Sequence, residues 1–334
     1  MTSRDSENPK RLGEFAMIAK LLAPLAAAEQ GALGLQDDAA HLKVPQGEEL
    51  VLTLDGLIEG VHFFREDPPA LVARKCLRVN LSDLAAKGAR PRGYMMFLGL
   101  APWTGDAWLT DFARGLGEDQ NQFGLSLLGG DTTKGPGPLT VSITALGFVP
   151  EGRMITRGGA KAGESVFVTG NIGDAGAGLA LLQGKSCELM KSERAGLISR
   201  YRLPEPRVGL GRRLLGLAGA ALDLSDGLLA DLGHIADVSG VRIAIESARI
   251  PLSEETKKVF GEGVEGVLRA ASAGDDYEIA FTAPESAREA LSKLAVETGV
   301  SIGEIGRVEP GEGVVLLDAS SAPIPIRRAG YTHF

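Results

Sequence analysis

Cysteine is nearly absent: two residues in 334, Cys76 and Cys187, far apart and in no CxxC pair. That excludes a disulfide scaffold, a zinc ribbon and an iron–sulfur protein, and free thiols fit a reducing cytoplasm. Histidine is as scarce, with His41, His62, His234 and His333 only; no HExxH occurs and no His/Cys cluster has zinc spacing. There is no GxSxG elbow. Aromatics are 5% of the chain. No apolar run approaches about 18 residues, so no membrane-spanning helix is expected. Bases are outnumbered 35 to 43 by acids, for a net charge of −8, the opposite of a general nucleic-acid binder. An acidic protein that handles phosphates must recruit cations to do so.

Three near-motifs are set aside on context. Lys10-Arg11 ahead of an apolar stretch faintly resembles a signal peptide, but Glu14 and Lys20 interrupt it and Pro24 breaks it. It reads as an amphipathic helix near 14–28, with Phe15, Ile18, Leu22 and Leu25 on one face, after a polar, frayed 1–11. Gly178 to Gly184-Lys185-Ser186 nearly meets the Walker A pattern, but five residues separate the glycines, and Lys185-Ser186 ends a helix where a phosphate cradle would begin one. Gly261 to Gly266 matches GxGxxG but follows the helical Lys257–Phe260 stretch, not a strand, so it reads as chance.

What the chain has in quantity is small and apolar residues: 44% apolar and 45 glycines, enough for real cores and many tight turns. The length suits two domains. Strands are expected at 51–54, 94–100, 125–128 and 139–149, with helices at 68–87 and 105–122. A turn at Pro150-Glu151-Gly152 marks a boundary, giving domains 1–149 and 150–334. The second half restarts with strands at 165–169, 221–224, 277–282 and 302–308 and helices at 178–183, 189–201, 206–219, 227–238 and 285–299. Alternation in both halves predicts a two-domain α/β or α+β protein.

Aspartates beside small residues recur: Asp37-Asp38-Ala39-Ala40, Thr53-Leu54-Asp55-Gly56, Asn80-Leu81-Ser82-Asp83, Gly129-Gly130-Asp131, Asp223-Leu224-Ser225-Asp226-Gly227 and Gly274-Asp275-Asp276-Tyr277-Glu278. Any one of them is ordinarily a turn or cap residue. Most sit at strand ends; Asp83 is inside a helix. Together they would repel unless cations sat between them. Oxygen donors without His or Cys select hard ions, Mg²⁺ or Mn²⁺, and carboxylate-held Mg²⁺ works on bound phosphates. The pattern points to phosphoryl transfer without a P-loop, with Arg153, Arg157 and Lys161 as cations for the phosphate tail or as an ordinary solvated loop.

The same blocks, together with Gly13-Glu14-Phe15, Glu59-Gly60-Val61-His62-Phe63, Gly147–Pro150 and Gly330-Tyr331-Thr332-His333-Phe334, occur in an order that resembles the thiamine-monophosphate kinase family of the PurM-like superfamily over nearly the whole chain. The resemblance implies a two-domain PurM-like fold, a homodimer whose N-terminal sheets join into a barrel, and a C-terminal α/β domain. It implies Mg²⁺-assisted transfer of a phosphoryl group from ATP to thiamine monophosphate in the cytoplasm, with no nucleic-acid or membrane partner. Carried over, Asp38, Thr53, Asp55, Asp83, Asp131, Asp223 and Asp226 are metal ligands; Gly130, Asp131, Arg157 and Ser225 touch ATP; His62, Asp275 and Tyr331 touch the acceptor. Gln36, Leu54, Gly56 and Asp275 depart from the family pattern.

The chemistry agrees with that expectation. A phosphate monoester, with a second pKa near about 6, is already anionic, so no general base is needed and none is assigned. The barrier is repulsion and alignment, which metal ions lower. The rivals are another ATP-using member of the superfamily and a non-catalytic nucleotide- or cation-binding paralogue.

Overall fold

The computed structural model describes residues 12–331, so the segment 1–11 expected to be frayed and the Thr332-His333-Phe334 end of the last block lie outside the described residues. The chain forms two compact units. The first comprises residues to Asn80 together with Pro91–Phe148; the second takes Leu81–Arg90 and everything from Val149 onward. The division therefore falls inside the helix Pro69–Ala86, and the second unit includes ten residues that lie well before Pro150.

The first unit carries a four-stranded sheet of β1 (Glu48–Ile58), β2 (Arg90–Leu100), β3 (Ser126–Lys134) and β4 (Thr140–Pro150) in the order β1-β4-β2-β3. Period-two alternation decides its faces. Val51, Leu57, Tyr94, Met96, Leu98, Val141, Ile143 and Ala145 are buried on one side, while Leu50, Leu52, Leu54, Met95 and Phe97 are exposed on the other. β3 runs parallel to β2 with a bulge that sets Met95 opposite Gly129. Gly130 has a steric reason: a Cβ there would lie 1.9 Å from the Met96 carbonyl oxygen. β1 and β3 are longer than their apolar runs suggest, so Asp55 and Asp131 sit within strands, not at strand ends.

The helix Pro69–Ala86 is tied to the helix Asp106–Phe123 by ion pairs, with Arg78 donating to both oxygens of the fully buried Asp119 at 2.7 and 2.9 Å. The N-terminal helix differs from its expected face. A π-helical turn at Ile18–Leu22 widens the spacing, so Met17, Leu22 and Ala26 are the buried positions and Phe15 is 83% exposed.

The second unit holds a seven-stranded mixed sheet, order β11-β10-β7-β9-β5-β8-β6, built from β5 (Ser165–Thr169), β6 (Ala220–Asp223), β7 (Arg242–Glu246), β8 (Ile279–Ala283), β9 (Ile302–Glu309), β10 (Gly313–Leu317) and β11 (Pro323–Ile324). Every pair in it is antiparallel except β10 with β7. Helices cover it, and Phe167 and Phe281 stack at 5.3 Å in its core. The mixed α+β class expected from the alternation holds. The stretch at 206–219 is broken: Val208–Gly211 and a 3₁₀ turn at Arg212–Leu214 replace one helix. As expected, Lys185-Ser186 follows the end of the helix Asp174–Leu182, and the 261–266 stretch follows a helix, Glu254–Phe260, with Gly263 and Gly266 inside the next one, Gly263–Ala271.

Candidate active site

In the first unit, Asp37, Asp38, Gly129, Gly130, Asp131 and Thr132 line one cavity of about 170 Å³. Asp37 Oδ1 accepts the amide of Asp38 at 2.8 Å, so one acid of the pair shapes the loop. Thr53 and Asp55 share a face of β1 with Val51 and Leu57, whereas Leu54 points to the opposite face and is 65% exposed. The departure at Leu54 therefore leaves the face bearing Thr53 and Asp55 unchanged. Asp55 is near enough to Cys76 to add to the effect of burial, which pushes that thiol up to about 12.

The block Glu59–Phe63 is a tight turn fixed from several sides. Glu59 Oε2 accepts from Trp103 Nε1 at 3.2 Å and from the Leu139 amide at 3.0 Å. The Gly60 amide donates to the Phe63 carbonyl at 2.8 Å. His62 Nδ1 accepts the Ile58 amide at 3.0 Å, and Lys75 donates to the His62 carbonyl at 3.0 Å. With Nδ1 an acceptor, the neutral imidazole carries its proton on Nε2.

In the second unit the remaining acids gather. Asp83 and Asp223 interact directly. Burial first, and then the charge of Asp83, holds the Asp223 carboxyl well above the usual carboxylate range, while a hydrogen bond from Ser82 pulls the other way. Asp231 Oδ2 accepts the amides of Asp226 and Gly227, each at 3.1 Å, and so forms the turn that presents Asp226. Burial, reinforced by Asp226, raises Asp231 to about 7. Asp226, Asp231 and His234 offer ligand atoms within 4.8 Å of one another. Asp231 and His234 form no part of the set expected from sequence. An acid four residues beyond a turn glycine, at the start of a helix, was the available signal.

Two other segments grip this aspartate loop. The amides of Asp275 and Tyr277 donate to the carbonyls of Ser225 and Leu224, each at 2.8 Å, and the Tyr331 amide donates to the Asp226 carbonyl at 2.9 Å. Gly274 and Gly330 are required for this approach, since a Cβ would lie 2.7 Å from the Ser225 oxygen and 2.4 Å from the Asp226 oxygen. Asp275 and Tyr277 both adopt left-handed backbone, at φ 61° and 51°. Each costs about 1 kcal/mol for an L residue. The neighbouring acids hold that strained turn. Asp276 accepts the Gly173 amide at 2.9 Å, and buried Glu278 accepts from Thr169 at 2.6 Å, Arg200 at 2.8 Å and Arg207 Nε at 2.7 Å. Asp276 and Glu278 thus face inward, whereas Asp275 accepts from the Tyr277 hydroxyl at 3.1 Å.

Tyr331, 42% exposed, lines a cavity of about 600 Å³ with Phe260, Leu268, Arg269, Arg327 and Arg328. Arg157 is exposed and close enough to Lys87 to oppose its charge.

The residues from 36 to 149 match the AIR synthase related protein N-terminal domain, and 161–318 match the corresponding C-terminal domain. The thiamine-monophosphate kinase of Caulobacter vibrioides is 46% identical over 90% of this chain and 85% of its own length. That of Escherichia coli is 40% identical over 96% and 98%. The chain belongs to the thiamine-monophosphate kinase family. The crystal structure of the Stenotrophomonas maltophilia K279a kinase superposes with a TM-score of 0.82 at 39% identity, covering 91% of this chain and 96% of that one. AaThiL complexed with AMPPCP and TMP superposes at 0.75, with 31% identity and 97% coverage of both. The hydrogenase maturation protein HypE in complex with ATP, at 19% identity and a TM-score of 0.74, shares the fold. Among the described residues, no helix is long and apolar enough to cross a membrane.

Proposed function

We propose that this kinase moves the terminal phosphoryl group of ATP onto thiamine monophosphate, forming thiamine diphosphate by direct in-line transfer. The observation that carries the reading is the cavity in which Asp38, Gly130 and Asp131 meet, in a chain 40% identical to a named thiamine-monophosphate kinase over nearly its whole length. The relative complexed with AMPPCP and TMP supports the same pair of substrates.

The donor set fits Mg²⁺. Every assigned ligand is an oxygen, and the Asp83–Asp223 pair is held in mutual repulsion that a divalent cation relieves. Asp38, Thr53, Asp55 and Asp131 would hold ions in the first unit, and Asp83, Asp223 and Asp226 in the second. Bound there, the ions supply charge neutralisation and an in-line template for two polyanions.

The chain's own groups bind and orient. Gly130, Arg157 and Ser225 serve the nucleotide. His62, its proton on Nε2, donates to an anionic oxygen of the acceptor. Asp275 and the face of Tyr331 meet the cationic thiamine. No side chain need take a proton, because the attacking phosphate oxygen is already ionised. A second copy of the chain completes the protein. The exposed row of Leu52, Leu54, Met95 and Phe97 on the first sheet supports pairing of two such faces into a barrel. The two free thiols support a reducing cytoplasm.

The test is coupled ADP release with thiamine monophosphate, thiamine and an aminoimidazole ribonucleotide precursor as acceptors. Activity on the monophosphate alone is expected. Thiamine lacks the ionised nucleophile and leaves the acceptor-phosphate subsite empty. Equal kcat/KM for thiamine would refute the reading, preference for the aminoimidazole precursor would favour another member of the superfamily, and no turnover with any acceptor would favour a non-catalytic paralogue.

A further inference from the structure

Lys75 lies on the helix Pro69–Ala86 and is 2% exposed. A lysine is seldom buried so deeply, because taking its ammonium out of water is costly unless polar partners offset the loss. An apolar side chain of similar length would fill the space without that cost. The ammonium is spent on a turn already assigned to the site: Nζ donates to the carbonyl oxygen of His62 at 3.0 Å, within the block Glu59–Phe63. Other bonds fix the shape of that turn. The His62 amide donates to the Ile58 carbonyl at 3.0 Å, His62 Nδ1 accepts the Ile58 amide at 3.0 Å, and Gly60 supplies a left-handed φ of 83°. Glu59 ties the near end of the turn to Trp103 and to the Leu139 amide. Lys75 instead holds the peptide of His62 itself. It anchors that peptide to a helix whose neighbouring residues Val72, Ala73, Cys76 and Leu77 are all buried. The local bonds therefore orient the imidazole on its turn, and the lysine sets where the turn stands. A displacement of about 1 Å is enough to spoil the contact of a positioned group with its ligand.

We propose that Lys75 is a positioning residue for the acceptor phosphate: by holding the His62 carbonyl to the helix Pro69–Ala86, it fixes the imidazole where Nε2 meets an anionic oxygen of the acceptor. The proposal rests on the reading of His62 as an acceptor contact. Lys75 acts through His62 and makes no contact with substrate. Its loss weakens acceptor binding in the ground state and the transition state alike, so it registers in KM for thiamine monophosphate and not in kcat. ATP, assigned to Gly130, Arg157 and Ser225, depends on none of these residues.

The experiment is a double-mutant cycle on the full-length enzyme, reading kcat, both KM values and the melting temperature. Lys75→Met fills the space without the charged donor. It should raise KM for thiamine monophosphate by about three- to thirtyfold and leave KM for ATP within about twofold. Lys75→Arg keeps a charged donor and should give a smaller rise. His62→Asn keeps an acceptor for the Ile58 amide and removes the Nε2 donor. Because Lys75 acts through His62, adding Lys75→Met to His62→Asn should raise KM for thiamine monophosphate far less than Lys75→Met does alone. Equal factors on the two backgrounds would overturn the proposal, since a residue that only supports the fold acts whether or not His62 is present. So would a lowered melting temperature with neither KM changed, a like rise in both KM values, or a rise in Lys75→Arg as large as in Lys75→Met. Should Lys75→Met fail to fold, Lys75→Gln, shorter and uncharged, is judged by the same criteria. The underlying reading fails separately. An unchanged KM for thiamine monophosphate in His62→Asn would reject His62 as an acceptor contact, whereas a raised one there beside an unchanged one in Lys75→Met would reject the part of Lys75 alone.

Discussion

The Tyr277 hydroxyl donates to Oδ1 of Asp275 at 3.1 Å, across a turn in which both residues hold left-handed backbone. The bond spans only two residues, so the phenol orients the carboxylate it touches. On the resemblance to the family a longer Glu is expected at Asp275, and a shorter arm has less freedom to find a ligand by itself. Tyr277→Phe should therefore raise KM for thiamine monophosphate by about three- to tenfold and leave KM for ATP alone. Asp275→Ala should raise the same KM by roughly ten- to hundredfold. If Asp275→Ala lowers the melting temperature and moves neither KM, Asp275 is a turn residue and no more.

That turn also shows what could be read from the sequence. The run of acids at 274–278 was visible as a constellation, and its place before a strand was expected. Which acid serves and which supports was not, because the division depends on partners distant in sequence: Gly173 for Asp276, and Thr169, Arg200 and Arg207 for Glu278. Periodicity found the long helices and the strands with strong apolar alternation. It missed β7, β10 and β11, and it stopped β3 at Leu128 because Gly129, Gly130 and Asp131 look like a turn. They remain in the strand because Gly130 lets the Met96 carbonyl come close.

The two thiols differ in a way that alkylation reads directly. Cys76 is 1% exposed, and burial holds its thiol up at about 12, so almost none is thiolate at pH 8. Cys187 is partly exposed. Native protein treated with iodoacetamide at pH 8 should take one label, at Cys187, and a second only on denaturation. Rapid labelling of Cys76 in the native state would contradict the packing around the helix Pro69–Ala86.

Asp55 and Asp131 test the metal reading in the first unit. Asp55→Asn and Asp131→Asn each remove one ligand charge from a site that must neutralise nucleotide and acceptor together, and each should lower kcat by about a hundredfold or more at ordinary Mg²⁺. Both lie on strands whose cores they do not fill, so circular dichroism should be unchanged. In ion-free buffer the variants should melt close to the wild-type temperature. Turnover near wild type in either variant would remove that residue from the ligand set.

Asp231 links the aspartate loop to pH. Its carboxyl is raised to about 7, against about 4 for an unfolded chain, mainly by burial and next by Asp226. The folded protein thus holds a proton there that the unfolded chain releases between those values. By linkage, this group's contribution to stability is complete below about pH 4 and is lost as pH rises toward and through about 7. Asp231→Asn is neutral throughout and can still accept the amides of Asp226 and Gly227 through its carbonyl oxygen. Urea unfolding of ion-free protein at pH 4.5, 6 and 7.5 should show wild type losing stability relative to the variant as pH increases, with a difference in slope approaching about one proton. Added Mg²⁺ should shrink the difference, because a cation beside Asp226 favours the ionised form of its neighbour. Parallel stability curves for the two proteins would mean that Asp231 titrates in the folded state as it does in the unfolded chain, and that the turn presenting Asp226 is held by its hydrogen bonds alone.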